Sequence, residues 1–168
     1  MFEALPLIAF AALLIIAACS DVATMTIPNW VSIALAAAFP VLALAFGVPL
    51  PLIGLHLVFG FAVLVVCFLL FQARIFGGGD AKLIAAAAVW TGFAAFGQFA
   101  LWTALAGGVL ALALLLTRKW MKPAEARPAY VNRLLKVQGG VPYGVAIMTG
   151  GLMALSALPF SQNVLTLP

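Results

Sequence analysis

The chain has 168 residues, of which 67% are hydrophobic and only 7% are charged. Soluble domains carry about 25% charged residues, so this chain has too little polar surface for a water-facing exterior, which excludes a soluble fold. Its 8 Lys and Arg outnumber its 4 Asp and Glu, but in a membrane protein such an excess reflects loop sidedness and not nucleic-acid binding. The composition predicts an integral membrane protein with no nucleic-acid partner.

Five apolar runs follow one another, and none alternates polar and apolar residues as a barrel strand would. They cover residues 4–19, 30–47, 50–71, 83–117 and 141–160. A helical span needs about 20 apolar residues, and the fourth run is too long for one crossing. We expect it to fold back near Thr91-Gly92, where we expect only a turn, or near Gly97-Gln98. The sequence predicts an all-α polytopic membrane protein with about six transmembrane helices, formed by residues 1–168 as a single domain.

The charges between the runs predict which side each loop faces. With two crossings in the fourth run, every cation lies on one side: Arg74, Lys82, Arg118, Lys119, Lys122, Arg127, Arg133 and Lys136. The positive-inside rule assigns this side to the cytoplasm and both termini to the opposite side. Within the basic loop 118–140, residues 130–137 show an amphipathic pattern. This pattern predicts a short helix in the membrane interface, where it contacts anionic lipid.

Asp21 and Asp80 are the acids that stand at the ends of predicted spans, on the cytoplasmic side. Each alone could be a helix cap or an interface marker. However, Asp80 is preceded by three glycines, Gly77, Gly78 and Gly79. Three consecutive glycines lower helix propensity, and a helix cap alone does not need them. Such a run favours close approach of an extended peptide by strand addition. Two carboxylates sharing a proton can hydrolyse a peptide bond, one acting as base on water and the other as acid.

Other chemistry has less support in the sequence. No Ser or Cys has a paired His on the cytoplasmic side, because His56 falls near the outer end of the third run. Cys19 and Cys67 lie inside spans and lack the spacing of a zinc site. We therefore expect no metal, cofactor or disulfide. Lys82 follows Asp80 closely and could bias its ionisation, hold a substrate carbonyl or anchor the span.

Two motifs in this order resemble those of the type IV prepilin peptidases, which are membrane aspartyl proteases. Asp21 precedes a Pro-Asn pair, Pro28-Asn29, and the family's Gly-x-Gly-Asp-x-Lys pattern is matched by Gly77-Gly78-Gly79-Asp80-Ala81-Lys82. A third element at the last span, Pro142-Tyr143-Gly144, is similar to the family's Pro-aromatic-Gly.

The resemblance implies that Asp21 and Asp80 are the catalytic dyad and that the other motif residues support it or bind substrate. It also implies a prepilin substrate whose basic leader is removed at the cytoplasmic face of the bacterial inner membrane. Bifunctional members carry an N-terminal extension with a cysteine-rich loop, and this chain starts just before the Asp21 span. We therefore expect the short, peptidase-only subclass of Flp-type (tight-adherence) pili, without methyltransferase activity.

Two other classes remain open from the residues alone. A small transporter or channel could use the carboxylates as a proton relay, although such proteins usually place ionisable groups at mid-span. A lipid-phosphate enzyme or scaffold could use the basic loop on phosphate groups. Comparing Asp21→Asn with Arg133→Ala in a prepilin-cleavage assay distinguishes these classes.

Overall fold

A computed structural model describes residues 4–121, 124, 128–136 and 140–161. Regular structure in these ranges is helical: α1 (Leu5–Thr24), α2 (Asn29–Ala45), α3 (Leu50–Gln72), α4 (Gly78–Trp120), α5 (Ala129–Leu135), α6 (Tyr143–Met153) and a 3-10 turn (Leu155–Ala157). By length and composition α1, α3 and α4 can cross a membrane, whereas α2 and α6 are shorter apolar helices. The prediction of an all-α membrane protein is confirmed.

The expected reversal in the fourth apolar run occurs at Gly92. Its φ of 57° and ψ of −172° belong to a region that glycine adopts far more readily than other residues. Gly92 divides α4 into a first arm, residues 78–91, and a second arm, residues 93–120. The first arm runs antiparallel to α3, because Val89 lies against Gly60 in the middle of α3 and Gly78 lies against Phe71 near its end.

The second arm runs in the same direction as α3. Phe59 contacts Phe96 with ring centroids 5.2 Å apart, and further along both helices Leu70 and Ala104 line one cavity. The two arms of α4 are therefore antiparallel to each other. With α1, α2, α3 and α6, and leaving aside the short α5, they make six apolar helical segments in the described part of the chain, the number that was predicted, although only α1, α3 and α4 are long and apolar enough to cross a membrane.

The segments place both aspartates at one end of this bundle. Lys82, two residues beyond Asp80, donates a hydrogen bond to Asn29 at the start of α2. Both ends of the described chain lie at the opposite end, where Phe160 packs 5.8 Å from Trp90. We call these two regions the aspartate end and the turn end of the bundle.

Aromatic rings fill the turn end. Trp90 has no exposed surface, its indole N–H donates to the carbonyl of Leu35 at 2.7 Å, and its ring contacts Phe10 at 5.2 Å. His56 Nδ1 donates to the carbonyl of Val89 at 2.8 Å. Because that carbonyl lies in the last turn before the break at Gly92, it would otherwise lack a helical partner.

The short helix predicted in the basic loop is present as α5. Leu135 from its apolar face is buried, and Arg133 and Lys136 from its polar face are exposed, which agrees with an amphipathic segment, although Tyr130 from the apolar face is also exposed. The remaining predicted residue Val137, and the loop cations Lys122 and Arg127, lie outside the described residues.

Candidate active site

Asp21 lies in the last turn of α1 and not, as the sequence suggested, in the loop after the first span. The helix ends at Met25, which adopts the left-handed conformation and donates its N–H to the backbone carbonyl of Asp21 at 2.7 Å. The chain then turns back to Pro28, which precedes the first residue of α2 in an extended conformation. The Asp21 side chain is only 6% exposed, so its carboxyl is held within the bundle and not in the water layer.

Asp80 lies in the first turn of α4. The residue that caps this helix is Gly77, with φ of −71° and ψ of 146°, so the interpretation of Asp80 as an N-cap is wrong. The Asp80 carboxylate instead reaches back to the N–H of Gly77, the geometry of the third helical residue in a capping box. This contact satisfies an N–H that the start of the helix would otherwise leave unpaired.

The glycine run packs the start of α4 against its neighbours. A Cβ at Gly77 would lie 2.8 Å from Asp80 Oδ2, one at Gly78 would lie 3.3 Å from the Phe71 ring, and one at Gly79 would lie 3.3 Å from Ile27 Cβ. Gly78 and Gly79 are helical, so the expectation of an extended segment available for strand pairing is wrong. Close approach, not extended backbone, explains the glycines.

The two carboxylates line one cavity of about 540 Å³, a volume within the usual range for small-ligand sites. Their charges interact. The wall of this cavity, which we call the dyad cavity, consists of Asp21, Met25, Thr26, Ile27, Asn29, Gly77, Gly78, Gly79, Asp80, Arg133, Gly140 and Val141. A pair of interacting carboxylates in one cavity is an arrangement that can share a proton.

The start of α6 contacts Asp21 and lies near Asp80. The Gly144 N–H donates to Asp21 Oδ2 at 2.7 Å, and a Cβ at Gly144 would lie 3.0 Å from that oxygen. Pro142 immediately precedes α6. The Tyr143 ring lies 6.4 Å from that of Phe76, and the charge of Asp80 acts on its phenol. The predicted Pro-Tyr-Gly element therefore lies at the aspartate pair.

Lys82 connects the two aspartate motifs and does not line the dyad cavity. Its Nζ donates to Asn29 Oδ1 at 3.0 Å, which ties the start of α2 to the first arm of α4. Asn29 in turn lines the dyad cavity. The contact favours a positioning role for Lys82 over the alternatives that the sequence left open.

Six residues that line the dyad cavity were not predicted as site residues from the sequence: Met25, Thr26, Ile27, Arg133, Gly140 and Val141. Arg133, assigned to a lipid-facing helix, lines the dyad cavity, and its Nη1 donates to the carbonyl of Ala23 near the end of α1 at 2.9 Å. Gly140 lines the same cavity. Two features of the sequence could have indicated that Arg133 lies at the cavity: the polar face of α5, and the prediction that the basic loop lies on the same side of the membrane as the aspartates.

No metal site is evident in the ranges described above, where no group of three or more His, Cys, Asp and Glu could hold an ion. Cys19 is exposed and Cys67 is buried, and both are free thiols. The polar side chains that line the dyad cavity are the two carboxylates, the Thr26 hydroxyl, the Asn29 amide and the Arg133 guanidinium.

Comparison with known families identifies the family to which the chain belongs. A model of the type IV leader peptidase family matches residues 8–112. The chain belongs to this family. Leader peptidases of this type are aspartic-type peptidases, so the chain is a membrane hydrolase, and the resemblance seen in its motifs is confirmed. The match includes both aspartates but ends before α5 and α6, which carry Arg133 and Gly144.

No curated protein and no solved structure matches the chain.

Proposed function

We propose that the protein is an aspartyl endopeptidase that removes the basic leader from Flp-like type IV prepilins, with Asp21 and Asp80 as its catalytic dyad. The observation that carries this proposal is the placement of both carboxylates in one cavity at the aspartate end. Family membership supplies the class of reaction. A transporter or a lipid-phosphate enzyme would not account for the family match.

The proposed chemistry needs only water and the two carboxyl groups. One carboxylate takes a proton from water, whose oxygen attacks the scissile carbonyl carbon, while the other carboxyl gives its proton to the carbonyl oxygen. When the tetrahedral intermediate collapses, the C–N bond breaks and the amine nitrogen receives a proton from the dyad. The Gly144 N–H bound to Asp21 Oδ2 holds one carboxylate in place through both halves of the reaction.

The distribution of cations supports a cytoplasmic location for the site. The Lys and Arg residues that the structure describes belong to the aspartate end, and their contacts include Lys82 with Asn29, Arg118 with Gly140 and Arg133 with Ala23. The positive-inside rule then places the dyad at the cytoplasmic face of the bacterial inner membrane. A reporter after Pro168 should behave as exported and one near Ala126 as cytoplasmic; the same side for both would contradict this topology.

The leader's positive charge should act mainly through the membrane. Basic residues gain about 1 kcal/mol each near an anionic surface, so anionic lipids are proposed partners along with the prepilin. Neutralising the leader lysines should raise the apparent KM and leave turnover nearly unchanged, because the charges are remote from the scissile carbonyl. A large fall in turnover at saturating substrate in neutral vesicles would instead show that the enzyme reads the leader directly.

The assay that tests the proposal measures cleavage of an Flp-like prepilin by the full chain in vesicles. Mass analysis of the product locates the cleaved bond and shows whether the new N-terminus is methylated; we propose that it is not. The expected product is the pilin without its leader, formed by wild type and absent with Asp21→Asn. Cleavage by that variant, or no cleavage by wild type, would overturn the proposal.

A further inference from the structure

Arg118 joins two parts of the chain that lie beside the dyad cavity. It is half-buried near the end of the second arm of α4, where its Nε donates to the carbonyl of Leu134 at 2.8 Å and its Nη2 donates to the carbonyl of Gly140 at 2.8 Å. Hydrogen bonds from an ionised donor are stronger than neutral ones. The sequence offered Arg118 only as one more topology-setting cation.

Both carbonyls belong to segments that form the cavity. Leu134 follows Arg133, which lines the dyad cavity, and Gly140 lines it directly. Four residues after Gly140, the Gly144 N–H binds the Asp21 carboxylate. We call α5 together with residues 140–144 the roof of the cavity.

A second arginine attaches the same roof to α1. Arg133 Nη1 donates to the carbonyl of Ala23, two residues after Asp21. The roof is thus held from the α4 side by Arg118 and from the α1 side by Arg133. Arg118 bonds to both segments of the roof at once, so it controls their position relative to each other.

We propose that Arg118 is a positioning residue of the active site: its two hydrogen bonds hold the roof in the place where the Gly144 N–H meets Asp21. This proposal rests on the proposed function of the dyad. Arg118 also lies outside the region that the family model matches, residues 8–112. Arginine is needed because its planar fork presents several N–H groups in fixed directions, whereas lysine offers one compact ammonium. Arg118 itself touches neither substrate nor the reacting atoms.

Three variants distinguish a positioning role of Arg118 from an effect of its positive charge alone. Arg118→Ala should lower kcat about 10- to 100-fold, the scale expected when a reacting group moves by about 1 Å. Arg118→Lys retains the charge but should recover only a minor part of this loss. Lys119→Ala is the matched control, since it removes the same charge from the exposed neighbouring residue, and should change kcat less than about twofold.

A double-mutant cycle identifies the element through which Arg118 acts. Gly144→Ala pushes a Cβ towards Asp21, which lies 3.0 Å from that position, and should lower kcat by itself. If Arg118 acts by holding Gly144, the loss in the double variant should be clearly smaller than the product of the two single losses. The cycle with Lys119→Ala in place of Arg118→Ala should show no such coupling.

The proposal is overturned if Arg118→Ala keeps kcat within about twofold of wild type, if Arg118→Lys is fully active, or if the effects of Arg118→Ala and Gly144→Ala simply multiply. Arg118→Lys keeps the topology-setting charge, so it gives a result even if the alanine variant fails to insert. A wild-type rate for Asp21→Asn would reject the dyad itself, whereas an inactive Asp21→Asn combined with a fully active Arg118→Lys would reject only the role of Arg118.

Discussion

The turn end and the aspartate end of the bundle both depend on glycine, but for different physical reasons. At the turn end, Gly92 has a positive φ and lies under His56, among packed aromatic rings. At the aspartate end, Gly77, Gly79 and Gly144 have no unusual φ and instead leave room for a carboxylate or a neighbouring side chain. Substitutions at the turn end should therefore lower stability, whereas those at the aspartate end should lower activity.

The largest expected effect is at the carboxylates. Asp21→Asn or Asp80→Asn should each lower the cleavage rate by at least about 10³-fold, because general acid and base groups contribute on the order of 10²–10⁴ each. Asp→Glu at either position should also fail largely, since the extra methylene displaces the carboxyl group. Cleavage kinetics and the amount of membrane-inserted protein provide the check. A near wild-type rate with either Asn variant would show that the aspartate end is not the site of catalysis.

Gly92→Val should have the next largest effect, on stability. A Cβ there would lie 2.6 Å from His56 Cε1, and the backbone conformation alone costs a β-branched residue about 1–3 kcal/mol. The sequence suggested a simple turn at this point, but the structure shows that valine does not fit. Thermal unfolding in detergent should show a lower midpoint; an unchanged midpoint would mean that the break at Gly92 is not needed.

Gly79→Val should cut activity more than stability. The new Cβ would press on Ile27, 3.3 Å away, and Ile27 lines the dyad cavity together with both aspartates. We expect roughly a 10-fold loss of kcat, since small displacements of positioned groups are costly, with a midpoint of unfolding close to wild type. Equal losses of activity and stability would show that glycine substitutions at the aspartate end, like those at the turn end, act on stability.

The smallest effect should come from Gly108→Ala, the control for the other glycine substitutions. Gly108 lies in the second arm of α4, and a Cβ there would meet nothing within 4 Å. Alanine is also the better helix former by about 1 kcal/mol. Cleavage within twofold of wild type and an unchanged or slightly higher unfolding midpoint are expected; a marked loss would show that glycine substitutions are harmful irrespective of position.

Much of the fold could be predicted because the order of apolar and charged residues along the chain is enough to locate helical spans and the loops between them. The apolar runs predicted the helices, and the length of the fourth run predicted a reversal that occurs at Gly92. The boundaries were less accessible: α1 continues past Asp21 to Thr24, since one polar residue in the last turn does not by itself end a helix. Hydrophobic runs therefore place spans better than they place their polar ends.

The candidate site was predicted only as far as its motifs extend. Asp21 and Asp80 could be selected because the chain has only 4 acids, whereas the Pro-Tyr-Gly element was selected through the family resemblance. The positions of Arg118 and Arg133 could not, because a cation that sets topology and a cation that binds carbonyls look alike in sequence. The distinction depends on tertiary contacts such as Arg118 with Gly140.

The hydrogen bond from Gly144 to Asp21 spans 123 residues of sequence, and this separation has a consequence for biosynthesis. A ribosome delivers α1 to the membrane before α6, so the Asp21 carboxylate acquires its backbone donor only after α6 has been made. A partly made chain thus contains both aspartates without the contact that orients one of them. The order of synthesis itself delays assembly of the dyad cavity until α6 is in place.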